Sequence, residues 1–299
     1  MFYIRSLGEF CASNKIDDEK RNSGLETPDD IQRFDNISYG GHERNILDVY
    51  RPKDKSGKLP VIVSIHGGGW VYGNKEIMQY YCMSLAQNGF AVINFSYRLA
   101  PEYKHPTPLI DTNKVIYWVF ENAVKYGFDT DSVFLVGDSC GANLAGLYCC
   151  LCVDGEYRKK LGIKPPEGFV PKAAALNSGL YRLVRGEEDL LDSLAEAYFP
   201  NGGTDGEYKE IELARFVSAG FPPCFVMTAP GDFLTPQAKP FYEFLRSKGI
   251  KAEYHSYGSR ENPLNHVFHI NIKLPEARAC NADECEFFLK SIKQQKGVL

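Results

Sequence analysis

The 299-residue chain lacks the long apolar runs that mark membrane-spanning proteins. No stretch approaches the roughly 18 consecutive apolar residues that a transmembrane helix requires. The first residues, MFYIRSLGEFCASNK, also lack a basic segment followed by about 7–15 apolar residues, which a secretory signal would show. The sequence therefore predicts a cytoplasmic protein with no membrane partner.

An excess of basic residues is also missing. The formal net charge is −4, and the longest basic run is Arg158–Lys160. A protein that binds nucleic acid or anionic lipid normally carries a positive patch or stripe, because phosphate attraction supplies much of the affinity. We therefore expect no nucleic-acid partner.

The nine cysteines lack a pattern that would pair them or bind a metal. Their number is odd, and no two closely spaced Cys pairs form a zinc-type arrangement. We expect reduced, mostly buried thiols, as found in a reducing compartment, and we predict neither a metal site nor a cofactor. Four of the cysteines fall in one predicted helix: Cys140, Cys149, Cys150 and Cys152.

Apolar runs such as VIVSI, VFLV and CFVM alternate with amphipathic segments along the chain. This alternation predicts an α/β fold with a mostly parallel, doubly wound sheet covered by helices on both faces. The predicted strands are Ile37–Val49 (broken into two), Leu59–Ile65, Ala91–Ser96, Val133–Val136, Lys172–Asn177, Cys224–Ala229 and Ala252–Tyr257. The predicted helices are Lys75–Asn88, Leu109–Tyr126, Ala142–Val153, Pro236–Lys248 and Pro275–Gln294.

Two regions do not follow this alternation. Residues 1–35 are polar and charged, and residues 180–221 form a long insertion between two core strands. Loops longer than about 12–15 residues are usually functional lids or disordered linkers, and the helix-like spacing of the insertion favours a lid. We predict one domain, residues 1–299, with 1–35 and 180–221 as cap segments.

One short motif carries most of the chemistry. In VFLVGDSCGANLAG (Val133–Gly146), an apolar run leads into Gly-Asp-Ser-Cys-Gly and then into a helical segment. Gly-x-Ser-x-Gly alone arises by chance in about one chain in ten of this length. A nucleophile elbow, however, needs a buried strand before the serine and a helix after it, and both are present. We predict that Ser139 is a nucleophile; the alternative is a serine in a glycine-rich turn.

A second glycine-rich segment, His66–Trp70 (HGGGW), follows the apolar strand VIVSI. Three glycines at this place are either a flexible turn or an oxyanion hole, in which each backbone N–H lowers the barrier of acyl transfer by roughly 3–4 kcal/mol. The N–H of Cys140, next to the serine, would be a further donor. That role uses the backbone, and a reactive Cys140 thiol is the alternative. We expect His66 to hold the loop rather than to act as a base.

These motifs, with SYRLAPEYKHPTPLID between them, resemble the hormone-sensitive-lipase-like esterases of the α/β-hydrolase superfamily, in their GDS-type subgroup. The similarity continues through FPPCFVMTAPGDFL and HVF and covers roughly residues 60–270. It implies an α/β-hydrolase fold, Gly68 and Gly69 as oxyanion donors, and small to medium acyl esters as substrates. The chain departs from the family at Cys140, where alanine is usual, at Ala142, where glycine is usual, and in lacking an arginine after GDF.

The same resemblance orders the triad as serine, acid and histidine along the chain. Three histidines follow Ser139: His255 lies inside the last predicted strand, whereas His266 and His269 lie on the loop beyond it. HVF matches the histidine position of the family, so we predict His266 as the base. Asp232, at the end of an apolar strand, is predicted as the acid, and a turn or N-cap aspartate is the alternative.

Four aromatic residues are candidates for contacts with the acyl or alcohol group, although each has core packing as its alternative: Trp70, Tyr72, Tyr198 and Phe199. The leading hypothesis is a serine carboxylesterase that acts on a small-molecule ester through an acyl-enzyme. One alternative is an amidase, formamidase or peptidase with the same triad. Another is a non-catalytic receptor for a small ligand, although such proteins typically lose the base. The sequence leaves the oligomeric state open, a homodimer included.

Overall fold

A single mixed β-sheet forms the centre of the computed structural model, which describes residues 7–186 and 188–295. Within these residues the sheet has eight strands. In chain order they are β1 (Ile31–Ser38), β2 (Ile46–Pro52), β3 (Leu59–Ile65), β4 (Ala91–Phe95), β5 (Phe128–Asp138), β6 (Ala174–Asn177), β7 (Cys224–Thr228) and β8 (Ala252–Ser256).

The strand order is β1-β2-β4-β3-β5-β6-β7-β8. The β1–β2 and β2–β4 pairs are antiparallel, and all pairs from β4 through β3 to β8 are parallel. Because parallel strands all end at the same edge, the loops after β3, β5, β6, β7 and β8 lie close together at the carboxyl edge of the sheet. The predicted site residues come from those loops.

Ten α-helices lie in the described residues and cover the sheet. They are α1 (Leu7–Asn22), α2 (Lys75–Gln87), α3 (Thr107–Glu121), α4 (Ala123–Tyr126), α5 (Cys140–Val153), α6 (Gly155–Leu161), α7 (Asp189–Tyr198), α8 (Asp205–Glu210), α9 (Thr235–Ser247) and α10 (Pro275–Gln295). None of these helices has the length and apolar composition needed to cross a bilayer.

Both faces of the sheet are buried. Along β3, Val61 and Val63 face one hydrophobic core, whereas Ile62, between them, faces the other. Burying such a side chain stabilises the fold by roughly 1.5–3 kcal/mol. This explains why the central strands are continuous apolar runs rather than alternating ones. The prediction of an α/β sheet covered on both faces is confirmed.

The predictions failed mainly near the chain's beginning. Residues 31–35 belong to β1, so the predicted cap segment 1–35 is wrong for its last part, and residues 1–6 lie outside the described residues. The helix α1 was not predicted because its sequence is mostly polar and its apolar face, with Leu7 and Phe10, is short; the short helices α6 and α8 were also missed. The long helix predicted at Leu109–Tyr126 is two helices, α3 and α4, that meet at Asn122.

The insertion at 180–221 contains α7, α8 and a 3-10 turn, Leu213–Arg215; its residue 187 lies outside the described residues. The apolar side of α7 is buried, including Leu194 and Tyr198. A capping box, in which the Thr204 and Glu207 side chains bond each other's backbone N–H, begins α8. All nine cysteines are free thiols, and eight of them are buried.

Candidate active site

Ser139 occupies a sharp turn between β5 and α5. Its φ and ψ are 55° and −121°, outside the regions that a residue with a side chain normally adopts. A conformation of this kind costs about 1–3 kcal/mol and is found most often at functional sites. The turn is held by two backbone hydrogen bonds, from Ser139 N–H to Asn177 O at 3.0 Å and from Leu180 N–H to Ser139 O at 3.2 Å.

The two glycines of Gly-x-Ser-x-Gly are required by close backbone contacts. A Cβ atom on Gly137 would lie 2.3 Å from the carbonyl oxygen of Gly141. One on Gly141 would lie 2.1 Å from the oxygen of Ile65, at the end of β3. Any larger residue would therefore push the helix away from the strands. The two glycines thus allow strand and helix to approach each other at the serine.

The HGGGW turn follows β3 and lies beside the serine. Its first glycine amide, Gly67 N–H, donates to Asp138 Oδ1 at 3.1 Å and is therefore already engaged. The next three residues, Gly68, Gly69 and Trp70, have φ values of 102°, 60° and 64°. This left-handed path favours glycine at the first two positions. The Gly68 and Gly69 amides are the remaining candidates for the oxyanion donors of the turn.

Two buried groups flank this turn. The His66 ring stacks on Tyr97 with 4.1 Å between ring centroids, and burial lowers the pKa of His66 to about 3. A neutral, enclosed histidine of this kind holds the loop and does not transfer protons near neutral pH. Burial raises the pKa of Asp138 to about 6, although the charge of His266 and the Gly67 N–H favour its ionised form.

Asp232 and His266 meet across the loops that follow β7 and β8. The His266 Nδ1 atom lies 2.7 Å from Asp232 Oδ1, which also accepts the Leu234 N–H at 2.9 Å. Burial raises the pKa of Asp232, but the hydrogen bond and charge of His266 outweigh burial and leave it below its ordinary value. The carboxylate is therefore ionised and fixes the orientation of the imidazole ring.

The other two downstream histidines lie apart from this pair. His269 is fully buried, both of its ring nitrogens lack hydrogen-bond partners among the described residues, and burial lowers its pKa to about 3. His255 lies on β8, where its ring stacks on Phe225 and its Nε2 contacts Glu253. Of the three histidines, only His266 bonds to Asp232, and it remains partly exposed.

A cleft of about 520 Å³ opens beside these groups. Gly68, Asp138 and His266 line one side, and residues of α1 line the other. The Tyr72 hydroxyl joins the two sides of the cleft, because it donates a hydrogen bond to Asp18 Oδ2 of α1 at 2.7 Å. The polar helix α1 is thus attached to the turn through side chains.

Of the four aromatic residues predicted to contact substrate, only Tyr72 lines this cleft. Trp70, Tyr198 and Phe199 are completely buried in the main core. The Trp70 ring stacks on Tyr198 with 4.3 Å between ring centroids. In this conformation they pack the interior, which was the alternative for each of them.

Phe233 is an aromatic neighbour of His266 that the sequence did not single out. It directly follows the predicted acid, lies 4.6 Å from the His266 ring and is 42% exposed. Its exposed ring lies beside the predicted base but outside the residues that line the cleft. Its position next to Asp232 was the only signal in the sequence.

Sequence reasoning also missed Ser178, which follows β6. Its hydroxyl accepts the Val267 N–H at 3.2 Å and helps to lower the pKa of Asp232. Both Ser178 and Val267 have positive φ, 45° and 53°. The hydroxyl thus connects the loop of the acid with the loop of the histidine. The only signal was its place at the end of a strand beside β5.

A buried carboxyl supports the serine turn from behind. Glu284 of α10 accepts hydrogen bonds from the Tyr81 hydroxyl at 3.0 Å and from Asn177 Nδ2 at 2.6 Å. Asn177 in turn accepts the Ser139 N–H through its backbone. Burial raises the pKa of Glu284 to about 7, although its two hydrogen bonds oppose this.

Comparison with known proteins gives the same fold. A family model for the α/β-hydrolase fold matches residues 62–270. Esterase LipC of Mycobacterium tuberculosis is 34% identical over 225 residues, which cover 71% of this chain and 54% of that protein. Esterase LipQ of the same organism is 29% identical over 243 residues, covering 78% and 56%. The chain thus spans about half the length of these curated relatives.

Among solved structures, esterase B of Lactobacillus Rhamnosis inhibited by a tributyrin phosphonate has a TM-score of 0.89. It is 24% identical and covers 97% of this chain and 96% of its own, so it is similar in fold. The strand order, the serine turn and the family match agree with one another. The chain belongs to the α/β-hydrolase superfamily, in its hormone-sensitive-lipase-like family.

Proposed function

We propose that this protein is a serine carboxylesterase that hydrolyses small to medium acyl esters through an acyl-enzyme. The observation that carries the proposal is the 2.7 Å hydrogen bond between His266 and Asp232, at the sheet edge where Ser139 occupies its strained turn. The names of the relatives LipC and LipQ support ester hydrolysis. The tributyrin phosphonate bound by esterase B supports short acyl chains.

In the first half-reaction, Ser139 Oγ attacks the ester carbonyl carbon while His266 Nε2 takes the hydroxyl proton. Asp232 stabilises the resulting imidazolium, since its depressed pKa keeps it ionised. The negative charge that develops on the carbonyl oxygen is held by backbone amides. Those donors are the N–H groups of Gly68, Gly69 and Cys140. His266 then protonates the leaving alcohol, and an acyl-serine remains.

In the second half-reaction, His266 removes a proton from water, which attacks the acyl-serine. The carboxylic acid leaves, and the proton returns to Ser139. Every nucleophile, proton carrier and charge stabiliser comes from the chain itself, so we expect treatment with EDTA to leave the rate unchanged. The α1 helix and the described part of 180–221 would form the cap over the substrate.

A rate panel tests this proposal. We expect purified protein to hydrolyse p-nitrophenyl acetate and butyrate faster than p-nitrophenyl palmitate. The acetate and butyrate esters should also be cleaved faster than a matched anilide and a formamide. The Ser139→Ala variant should lose at least about 10³-fold in kcat without a change in melting temperature. Undiminished turnover in that variant would contradict the mechanism. Faster cleavage of the anilide or formamide would indicate an amidase with the same triad.

A further inference from the structure

The side chain of Cys140 faces the turn that carries the two proposed oxyanion glycines. Cys140 is 1% exposed, and its Sγ atom accepts a hydrogen bond from the backbone N–H of Trp70, with 3.3 Å between the sulfur and the nitrogen. The thiol therefore holds the amide that directly follows Gly69, one of the two proposed donors.

This turn needs such contacts because its backbone is strained. Gly68, Gly69 and Trp70 all have positive φ, and Trp70 carries a large side chain in that region. A strained segment keeps its orientation only where the surroundings fix it. Asp138 holds the start of the turn through Gly67 N–H, and Ala100 N–H holds its end through Trp70 O. Between them, the Val71 and Tyr72 N–H groups donate to Gly68 O, and the thiol accepts the Trp70 N–H.

The sulfur also belongs to a short hydrogen-bond chain. The Tyr97 hydroxyl donates to the His66 carbonyl oxygen at 2.8 Å, so its oxygen is left to accept the Cys140 S–H. Burial raises the pKa of Cys140 to about 12, although the Trp70 N–H and the Tyr97 hydroxyl oppose this. The group is therefore a neutral thiol, which suits a hydrogen-bond partner and not a nucleophile.

We propose that the Cys140 thiol is a positioning residue for the oxyanion hole: its sulfur holds the Trp70 N–H, which fixes the peptide unit after Gly69 and thereby limits the directions that the Gly69 N–H can take. The residue would then act twice, with its own amide on the oxyanion and with its side chain on the neighbouring donor. This inference rests on the proposed esterase function. Alanine, which the family usually carries here, offers no such contact.

The test compares Cys140→Ala and Cys140→Ser with the unchanged protein. For each we would measure kcat and KM with p-nitrophenyl butyrate, and the inhibition constant of 1,1,1-trifluorohexan-2-one, which forms an oxyanion on the serine. We expect the alanine variant to lose about tenfold in kcat, with KM within about twofold, and to bind the ketone about tenfold more weakly. Serine, whose oxygen accepts the same N–H, should recover most of this loss.

Cys149→Ala is the matched control, because Cys149 is a fully buried cysteine of the same helix that lies in the core. We expect its kcat and ketone affinity to stay within about twofold of the unchanged protein. If Cys140→Ala does not fold, Cys140→Val takes its place under the same criteria. Valine fills the site without offering a hydrogen bond.

Wild-type kcat and ketone affinity in Cys140→Ala would overturn the inference, and so would an equal loss in Cys149→Ala. A change in KM alone would also overturn it, because an oxyanion contact acts on the transition state. The proposed function fails separately: retained hydrolysis in Ser139→Ala would remove it whatever Cys140 does. An inactive Ser139→Ala together with a fully active Cys140→Ala removes only the positioning role.

Discussion

The two sides of the cleft are built in different ways. At the carboxyl edge of the sheet, backbone geometry fixes the groups: four of the five non-glycine residues with positive φ in the described chain lie there. They are Trp70, Ser139, Ser178 and Val267. The opposite side is the regular helix α1, which is attached by side chains: Tyr72 bonds to Asp18, and Arg21 donates to the Ile77 carbonyl oxygen at 2.8 Å.

This difference separates chemistry from substrate fit. Strained backbone persists only when the surrounding fold over-determines it, so the groups it carries are positioned closely. A helix attached by a few side-chain hydrogen bonds, each worth about 1 kcal/mol, can shift to suit a ligand. We therefore expect substitutions at the sheet edge to change kcat strongly. Substitutions at α1 should change KM weakly.

The largest expected effect distinguishes His266 from His269, three residues apart on one loop. His266→Ala should lose at least about 10³-fold in kcat for p-nitrophenyl butyrate, because the proposed acceptor of the Ser139 proton is removed. His269→Leu should keep kcat within about twofold. It should also unfold at an equal or higher urea concentration, because both His269 nitrogens are buried without partners among the described residues and cost free energy there.

The pH dependence of kcat/KM gives a second test of the roles of the two histidines. Because His266 must be unprotonated to accept the serine proton, kcat/KM should fall as the pH is lowered, in the unchanged protein and in His269→Leu alike. A profile that stays flat down to pH 4 would contradict the role of His266. A large loss of kcat in His269→Leu would mean that the sequence and the Asp232 contact selected the wrong histidine.

Much of the fold was predictable because it follows from short-range pattern. Continuous apolar runs located β3 and β7, and glycines just past three predicted helices have positive φ, namely Gly89, Gly127 and Gly249. By contrast, α1 has only a short apolar face, with Leu7 and Phe10, and its later turns are held to the fold by polar tertiary contacts. The sequence could not show those contacts, and it therefore left residues 7–22 without secondary structure.

The same limit applies to the site. Ser139, Asp232 and His266 stand at strand ends with recognisable neighbours, and the structure joins the last two; their catalytic roles stay predictions. Ser178 and the Cys140 sulfur act through contacts with residues far away in the sequence. Trp70 could be identified as part of the turn, but whether its ring faces substrate or core depends on its stacking against Tyr198 of α7.

The next-largest expected effect concerns Glu284, the buried carboxyl behind the serine turn at the carboxyl edge of the sheet. The pKa of Glu284 is about 7 in the folded protein because of burial, against 4.5 for an ordinary glutamate. The folded state therefore binds the extra proton. This stabilisation is complete below about pH 4.5 and is lost as the pH rises through 7. Between pH 5 and pH 8 the loss should amount to roughly 2–3 kcal/mol of unfolding free energy.

Glu284→Gln cannot ionise, so it should lose none of this stability on going from pH 5 to pH 8. Its amide also has a partner, because Asn177 Oδ1 is buried, has no hydrogen-bond partner in the described part of the chain, and can accept from it if the Asn177 amide flips. The measurement is the free energy of unfolding in urea at both pH values, taken as the variant minus the unchanged protein. Contributions of Asp138 and the buried histidines cancel in that difference.

The control for this experiment is Glu286→Gln, since Glu286 lies on the same helix but is 63% exposed. Its difference from the unchanged protein should not vary with pH by more than a few tenths of a kcal/mol. A Glu284→Gln difference that is equally flat would mean that Glu284 is ionised in the fold. The carboxyl edge would then tolerate a buried charge directly behind the serine turn.

The smallest expected effect tests the α1 side. Tyr72→Phe removes the hydroxyl that donates to Asp18 and keeps the ring that lines the cleft. Since only one side-chain hydrogen bond is lost, kcat should stay within about twofold, whereas KM should rise about two- to fivefold as α1 loosens. Tyr117→Phe is the control, because the Tyr117 hydroxyl bonds to Lys164 O at a distance from the cleft. A loss of kcat beyond tenfold in Tyr72→Phe would remove the distinction between the two sides, because the cap would then position the reacting groups as strictly as the sheet edge does.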